Sequence, residues 1–284
     1  MRIVRTVAEL RDALRRARAG TIGFVPTMGA LHEGHLSLVR AARAEHDIVV
    51  LSIFVNPTQF GEAADLAAYP RTEERDLELA ATAGVDIVFA PDAAEMYPAG
   101  FATTVSIAGP IAHTLEGAER GRAHFDGVAT VVTKLLLAAM PDTAYFGAKD
   151  AQQVVVVRRL VADLNVPVRI AVVETARDED GLALSSRNAR LSADDRRRAL
   201  ALSRALREMT DAAADGASDS AALRTLGLGV LAEAGVTPEY LEIVDPGTLA
   251  AVASLDGPAL VVIAARVGET RLIDNTLITP GGSR

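Results

Sequence analysis

The stretch that most constrains the fold of this chain is FVPTMGALHEGH, residues 24–35. A short apolar run at 22–25 leads into Pro26 and a turn that holds Gly29; two histidines follow, with Gly34 between them. Beyond His35, the residues Leu36, Val39 and Ala42 recur at helical spacing, so a helix opens close to His32 and His35. Strand, glycine turn and helix start together form the point at which an α/β protein offers backbone N–H groups and a positive dipole end to an anion. Histidines three residues apart on a first helical turn share a face and point at that anion. Taken alone, HxGH equally describes a helix cap with a satisfied polar side chain.

The rest of the chain repeats the strand-then-helix theme. A helix capped by Thr6 is expected over 3–19, then the strand at 22–25. Residues 47–55, DIVVLSIFV, form a near-continuous apolar run, the pattern of a parallel strand buried on both faces, and end in the turn NPTQF. A helix over 72–83 with Thr72 as its cap and a strand at 85–90 follow. A strand at 101–109, a loop at GRAHF, a helix at 127–140, a short strand at 145–146, a helix reaching 164 and a strand at 166–173 continue the series. This alternation predicts an α/β fold, a Rossmann-like doubly wound parallel sheet whose ligands bind beyond the carboxyl ends of the strands. From about Arg177 the character changes to a polar loop, two helices and three strand-like runs at 239–244, 260–267 and 271–278. The expected division is a catalytic domain over 1–176 and a smaller α+β domain over 177–284.

With 284 residues, half of them hydrophobic, the chain can bury a core for two domains. No apolar run reaches membrane-span length and MRIVRTVAEL lacks a signal-peptide core, so a cytoplasmic protein with no membrane partner is expected. Cysteine is absent, which excludes disulfides, thiolate metal sites and a cysteine nucleophile. The net charge of −8 argues against nucleic acid as a partner, so any phosphate ligand needs a local basic cluster. The basic residues are nearly all arginine; lysine occurs only at Lys134 and Lys149, and glutamine only at Gln59, Gln152 and Gln153.

Three further segments carry chemistry-bearing residues. Asn56 and Gln59 flank Pro57 at a strand end, where amides suit hydroxyls and a carboxylate without adding charge; an ordinary Asn-Pro turn reads the same way. In FGAKDAQQ, Gly147 permits close backbone approach, Lys149 is a mobile point charge, Asp150 can cap a helix and Gln153 lies on its first turn. Lys-Asp there also fits a surface ion pair. In GLALSSRN, two hydroxyls and a guanidinium offer donors to a polyphosphate, and Ser-Ser-Arg-Asn also reads as a lead-in to a helix.

These segments, in this order and spacing and together with HFDGVATVV at 124–132, resemble the pantothenate synthetase (pantoate–β-alanine ligase) family of HIGH-type nucleotidyltransferases. The resemblance covers at least residues 21–191. It implies an ATP-dependent ligation of pantoate and β-alanine through pantoyl adenylate, releasing pyrophosphate and AMP. It assigns catalytic roles to His35 as general acid, to His32 beside it on the phosphates, and to Lys149. ATP is expected at Met28, Gly29, Ala30, Leu31, His32, Glu33, Gly34 and His35, at Gly147, Ala148, Lys149 and Asp150, at Ala176, and at Leu184, Ser185, Ser186 and Arg187. Pantoate and β-alanine are expected at Asn56, Gln59, His124 and Gln153. Mg²⁺ comes with the ATP, with Asp76 as a weak protein ligand, and a homodimer is the family's usual state. Two positions depart from the family pattern: Ala148 stands where the family has Glu, and Gly121, between Arg120 and Arg122, where it has Arg. The rival classes are another HIGH-class adenylyltransferase, a class-I tRNA synthetase and a non-catalytic nucleotide-binding protein.

Overall fold

The computed structural model describes residues 1–17, 19–61 and 63–281. Contacts divide the chain into two compact units, Met1–Gly147 with Gln152–Glu174, and Ala148–Ala151 with Thr175–Arg284. The division returns residues 148–151 to the second unit, although the chain enters and leaves them from the first.

The first unit runs β1 (Arg2–Val4), α1 (Val7–Ala17), β2 (Ile22–Thr27), α2 (Glu33–Glu45), β3 (Ile48–Ile53), α3 (Ala63–Ala68), α4 (Glu73–Thr82), β4 (Ile87–Phe89), α5 (Ala93–Met96), α6 (Glu116–Arg120), α7 (Arg122–Ala139), β5 (Thr143–Gly147), α8 (Ala151–Asp163) and β6 (Arg169–Val173). Its six strands lie in the order β1-β4-β3-β2-β5-β6, and every pairing is parallel. Successive side chains go to opposite faces. Phe24, Val50, Ile87, Phe89 and Phe146 pack with Leu10 and Leu14 of α1 and Leu135 and Leu136 of α7, while Val25, Val49, Leu51, Val88 and Tyr145 pack with Leu38 and Val39 of α2 and Ala80 of α4. Helices on both faces explain why residues 48–53 read as a near-continuous apolar run. The strand order reverses between β2 and β5, so the crevice that such sheets use for ligands lies beyond the ends of these two strands. Pro26 fits inside β2 because β5 pairs only with Gly23 and Phe24, leaving no bond to β5 for the missing N–H to break.

The second unit runs α9 (Ala193–Ala214), α10 (Ser220–Glu233), β7 (Pro238–Val244), β8 (Ala259–Val267) and β9 (Thr270–Ile278). The strands form an antiparallel sheet in the order β7-β8-β9, and Leu202, Leu206 and Met209 of α9 and Leu223, Val230 and Leu231 of α10 share a core with Leu241, Val261 and Ile263. Among the described residues, no helix is long and apolar enough to cross a membrane.

Several expectations change. Residues 2–4 form an edge strand beside β4, not the start of a helix; α1 begins after Thr6, whose Oγ1 accepts from the Glu9 N–H while Glu9 Oε2 accepts from the Thr6 N–H, a reciprocal cap. Residues 101–109 hold no strand, because side chains on α7 meet their polar groups: the Val105 N–H donates to Thr130 Oγ1 at 2.9 Å and Ser106 Oγ donates to Asp126 at 2.8 Å. GRAHF is not a loop from Arg122 onward, since α7 starts there. Thr72 occupies the N-cap position of α4, yet its hydroxyl makes no cap bond and donates to Asp76 instead.

Gly127 brings α7 against the 3-10 turn Pro57–Gln59, and a Cβ there would lie 2.5 Å from Thr58 O and 2.8 Å from Gln59 N. Those atoms are backbone and cannot swing aside. Helix propensity alone would favour alanine by about 1 kcal/mol. Gly127→Ala should nevertheless destabilise the protein by about 1–3 kcal/mol, the range for overpacking. A urea midpoint at or above that of the parent would contradict the contact.

Candidate active site

The turn after β2 contains two consecutive residues in the left-handed region, Gly29 at φ +80° and Ala30 at φ +50°. Ala30 carries a Cβ, so this backbone needs outside support. Asp76 supplies it. Its carboxylate is 1% exposed and accepts the Ala30 N–H through Oδ2 at 2.8 Å and the Leu31 N–H through Oδ1 at 2.7 Å; Thr72 Oγ1 sits 3.2 Å from both oxygens. A side chain at Gly29 would put its Cβ 3.0 Å from Asp76 Oδ2 and 3.1 Å from Ile53 Cγ2, which explains the glycine. Asp76, expected from the resemblance as a weak metal ligand, has each oxygen accepting a backbone amide here, and in this structure it holds the turn. Among the described residues, no group of three or more acidic or histidine side chains is arranged to hold a metal ion.

His32 is the N-cap of α2, and His35 stands three residues in. His32 Nδ1 accepts the Gly34 N–H at 3.2 Å and His35 Nδ1 faces the His32 N–H at 3.4 Å, a capping box built from two imidazoles. The rings lie 4.1 Å apart, centroid to centroid. A neutral imidazole whose Nδ1 accepts carries its proton on Nε2, so both histidines are Nε2–H donors in that form. The backbone cradle expected from the sequence is largely used within the protein: Ala30 and Leu31 donate to Asp76, Gly34 to His32, and the His35 and Leu36 N–H groups to His32 O at 2.8 and 3.1 Å. Glu33 faces outward and pairs with Arg40.

Beyond β3, the amide pair forms one network. Asn56 is 1% exposed; its Oδ1 accepts from Tyr97 Oη at 2.7 Å and from Thr58 Oγ1 at 2.9 Å, and its Nδ2 donates to Gln59 Oε1 at 2.9 Å and Gly127 O at 3.1 Å. With Oε1 fixed, the Gln59 Nε2 is aimed at Met28 Sδ, 3.2 Å away. His124 Nδ1 lies 2.8 Å from Gln59 O, and since a carbonyl only accepts, that nitrogen carries a proton. Burial pushes the Tyr97 phenol above its ordinary pKa, against a smaller opposing effect from Thr58, so it stays a hydroxyl donor at neutral pH. Met28, Asn56, Gln59 and His124 are thus brought together, with Asn56 and His124 orienting Gln59.

The two glutamines of α8 do different work. Gln152 is buried, its Oε1 accepting the Glu116 N–H at 2.9 Å and its Nε2 donating to Ile111 O and Thr114 O at 2.9 and 2.8 Å. Gln153 is half-buried one position on. Gly121 adopts φ +79°, a conformation an arginine would occupy only under strain, and Arg120 is committed to Glu116 at 2.7 Å. The side chain of Arg122 lies outside the described residues.

In the second unit, Ala148, Lys149 and Asp150 form a 3-10 turn, and the carbonyls of Ala148 and Lys149 both accept from Asn275 Nδ2, at 2.9 and 2.8 Å. Ser185 caps the 3-10 segment Ser186–Arg190, its Oγ accepting the Arg187 N–H at 3.2 Å, so the helix lead-in reading describes Ser185 well. The Leu184 N–H donates to Ala176 O at 2.9 Å, closing a hairpin that Arg177 anchors through a two-bond ion pair to the buried Asp274 at 2.7 and 3.0 Å. Ser186 and Arg187 are half-buried. Sequence reasoning missed Tyr97 and Asn275. Only Asn275 left a trace, a polar Asp-Asn pair inside an apolar strand.

Replacing Asp76 by alanine leaves two buried N–H groups without acceptors, each worth about 1–3 kcal/mol. Asp76→Ala should lower the urea midpoint accordingly, and Asp76→Asn, which keeps one oxygen acceptor, should fall between. Parent-like stability in Asp76→Ala would remove the carboxylate from this role.

A family model described as pantoate-beta-alanine ligase matches residues 2–277. A pantothenate synthetase of Agrobacterium fabrum (strain C58) is 54% identical over 282 residues, 98% of this chain and 96% of its own length. One from Roseiflexus sp. (strain RS-1) is 52% identical over 279 residues, 98% and 99%. The crystal structure of pantothenate synthetase from Thermus thermophilus superposes with a TM-score of 0.94 at 50% identity, covering 99% of this chain and all of that one. A pantoate-beta-alanine ligase from Francisella tularensis, complexed with beta-gamma ATP and beta-alanine, gives 0.80 at 35% identity over 98% and 97%. The geometry of a histidine-capped turn on a parallel sheet and these matches across nearly the whole chain agree: the chain belongs to the pantoate–β-alanine ligase family.

Proposed function

We propose that this protein joins pantoate to β-alanine with consumption of ATP, through an enzyme-bound pantoyl adenylate. The observation that carries the reading is the His32–His35 pair, each Nδ1 engaged in the cap of α2, on a turn that the family match spans. In the first step a pantoate carboxylate oxygen bonds to the α-phosphorus while the bond to the β-phosphate oxygen breaks, and pyrophosphate leaves. In the second, the neutral amine of β-alanine bonds to the acyl carbon, the acyl–oxygen bond breaks, AMP leaves and the nitrogen gives up a proton. Neither step needs a covalent enzyme intermediate, in keeping with a chain lacking cysteine. Catalysis is then positioning plus stabilisation of phosphate charge.

Residues 28–35 carry the nucleotide, with His35 donating to the leaving pyrophosphate oxygen and His32 to a neighbouring one. Gly147, Ala148, Lys149 and Asp150, with Ala176, Leu184, Ser185, Ser186 and Arg187, complete nucleotide binding. Gln59 and Gln153 hold pantoate, with Gln59 also near β-alanine; Asn56 and His124 act by orienting Gln59. ATP enters as its Mg²⁺ complex, the ion held by phosphate oxygens and water, the usual state of this cation in nucleotide sites. The Francisella tularensis relative, complexed with beta-gamma ATP and beta-alanine, supports the pairing of these two ligands. A cytoplasmic homodimer is part of the same reading.

The test supplies ATP, Mg²⁺, pantoate and β-alanine and follows AMP. AMP release should require both acids; release independent of β-alanine, or incorporation of AMP into product, would favour a different HIGH-class enzyme. Removing a donor that acts on developing charge costs roughly 10²–10³ in kcat. His35→Ala and Lys149→Ala should each lose activity on that scale with unchanged circular dichroism; Lys149→Ala should keep the parent melting temperature, while His35→Ala, which also removes an acceptor from the α2 cap, should lower it modestly. Turnover near that of the parent in either variant would count against its assigned role.

A further inference from the structure

We propose that Asn275 is a positioning residue for Lys149, acting through the backbone of the turn that presents it. The inference rests on Lys149 serving the nucleotide as read above. Asn275 lies on β9, opposite Val262 of β8, and is 7% exposed. Its amide nitrogen donates to two consecutive carbonyls, Ala148 O at 2.9 Å and Lys149 O at 2.8 Å. One NH₂ group has two hydrogens, and both are committed to this turn. Two bonds from one rigid planar amide to adjacent carbonyls set the orientation of both peptide planes, and so the direction in which the Lys149 side chain leaves the main chain.

Chain order alone would place the turn in the first unit. Residues before it belong to β5 and residues after it to α8, both of the first unit, yet 148–151 group with the residues from Thr175 onward. The preceding residue of β9 serves the other candidate phosphate segment: Asp274 grips Arg177, whose Nη1 also donates to Gly181 O at 3.1 Å, at the base of the hairpin leading to Ser185. Adjacent polar residues of one strand therefore anchor both segments. Buried side chains of this kind are retained in an apolar strand at a desolvation cost that only satisfied bonds offset.

The experiment is a double-mutant cycle on full-length protein with Asn275→Ala, Lys149→Ala and the double variant, measuring kcat, the KM for ATP and the melting temperature. Displacing a phosphate-binding group by about 1 Å can cost roughly 10²-fold. Asn275→Ala should lose about 10–100-fold in kcat/KM for ATP with the KM for pantoate unchanged, and Asn275→Ser, which keeps one donor, should recover part of it. In the Lys149→Ala background the same change should cost less than about twofold, because residues acting through one another are not additive. Equal losses in both backgrounds, or no loss in the parent background, would overturn the proposal. Parent-like activity in Lys149→Ala would instead refute the role of the lysine, which separates the two failures. Should Asn275→Ala not fold, the nearly isosteric Asn275→Asp, which lacks both donors, takes its place in the cycle.

Discussion

A buried carboxylate holding two backbone amides is the constraint on which this architecture depends. A chain leaving a parallel strand for a helix must reverse within a few residues, and here it does so through Gly29 and Ala30, both at positive φ. Alanine resists that conformation, and the amides it exposes would be buried without partners. Asp76, arriving from α4, meets both at 2.7–2.8 Å. The turn accordingly relies on its histidines for donors: each Nδ1 is used to cap α2, and the proton of the neutral ring is left on Nε2. The structural demand at the start of the helix is thus met by two imidazoles.

The amide network beyond β3 follows the same logic. Asn56 commits every polar atom of its side chain, to Tyr97, Thr58, Gln59 and Gly127, and is nearly inaccessible. Its effect is exerted through Gln59, which it orients by fixing Oε1. His124 works on the same residue from the other side, through the main-chain carbonyl. Of the residues expected to touch substrate, then, two are better understood as supports for a third. Supporting groups of this kind decide whether a side chain is held within the tolerance that positioning catalysis needs.

How much of this was readable beforehand depended on the range of the interaction. The parallel sheet was legible in the alternation of apolar runs and helical spacing, and the three strands of the second unit were legible because each run was long and flanked by turn residues. The helix start at His32 was legible because capping is local. Strand β1, three residues long, was not, because its apolar residues also fit the helix that follows; only pairing with β4 distinguishes them. The run at 101–109 has strand composition, but its polar backbone is met by Thr130 of α7, a partner 25 positions from Val105 that no local pattern reveals. Asp76 illustrates the same limit in the site: its identity invited a metal, and only the fold discloses that the turn had already claimed both oxygens.

The distribution of polar residues within β9 carries the remaining argument. An exposed strand face explains isolated polar residues, but Asp274 and Asn275 are adjacent, so their side chains leave opposite faces of the sheet, and both are buried. A solvated face cannot account for the pair. Each must find its partners in protein, and each finds them in a loop instead of a neighbouring strand: Arg177 for the aspartate, the carbonyls of Ala148 and Lys149 for the asparagine. A strand that directs two adjacent buried polar side chains to two loops, both bearing residues suited to phosphate, is organised to hold those loops relative to each other. The small antiparallel sheet is thus more than a cover for α9 and α10; its third strand anchors both the turn that carries Lys149 and the hairpin that leads to Ser185.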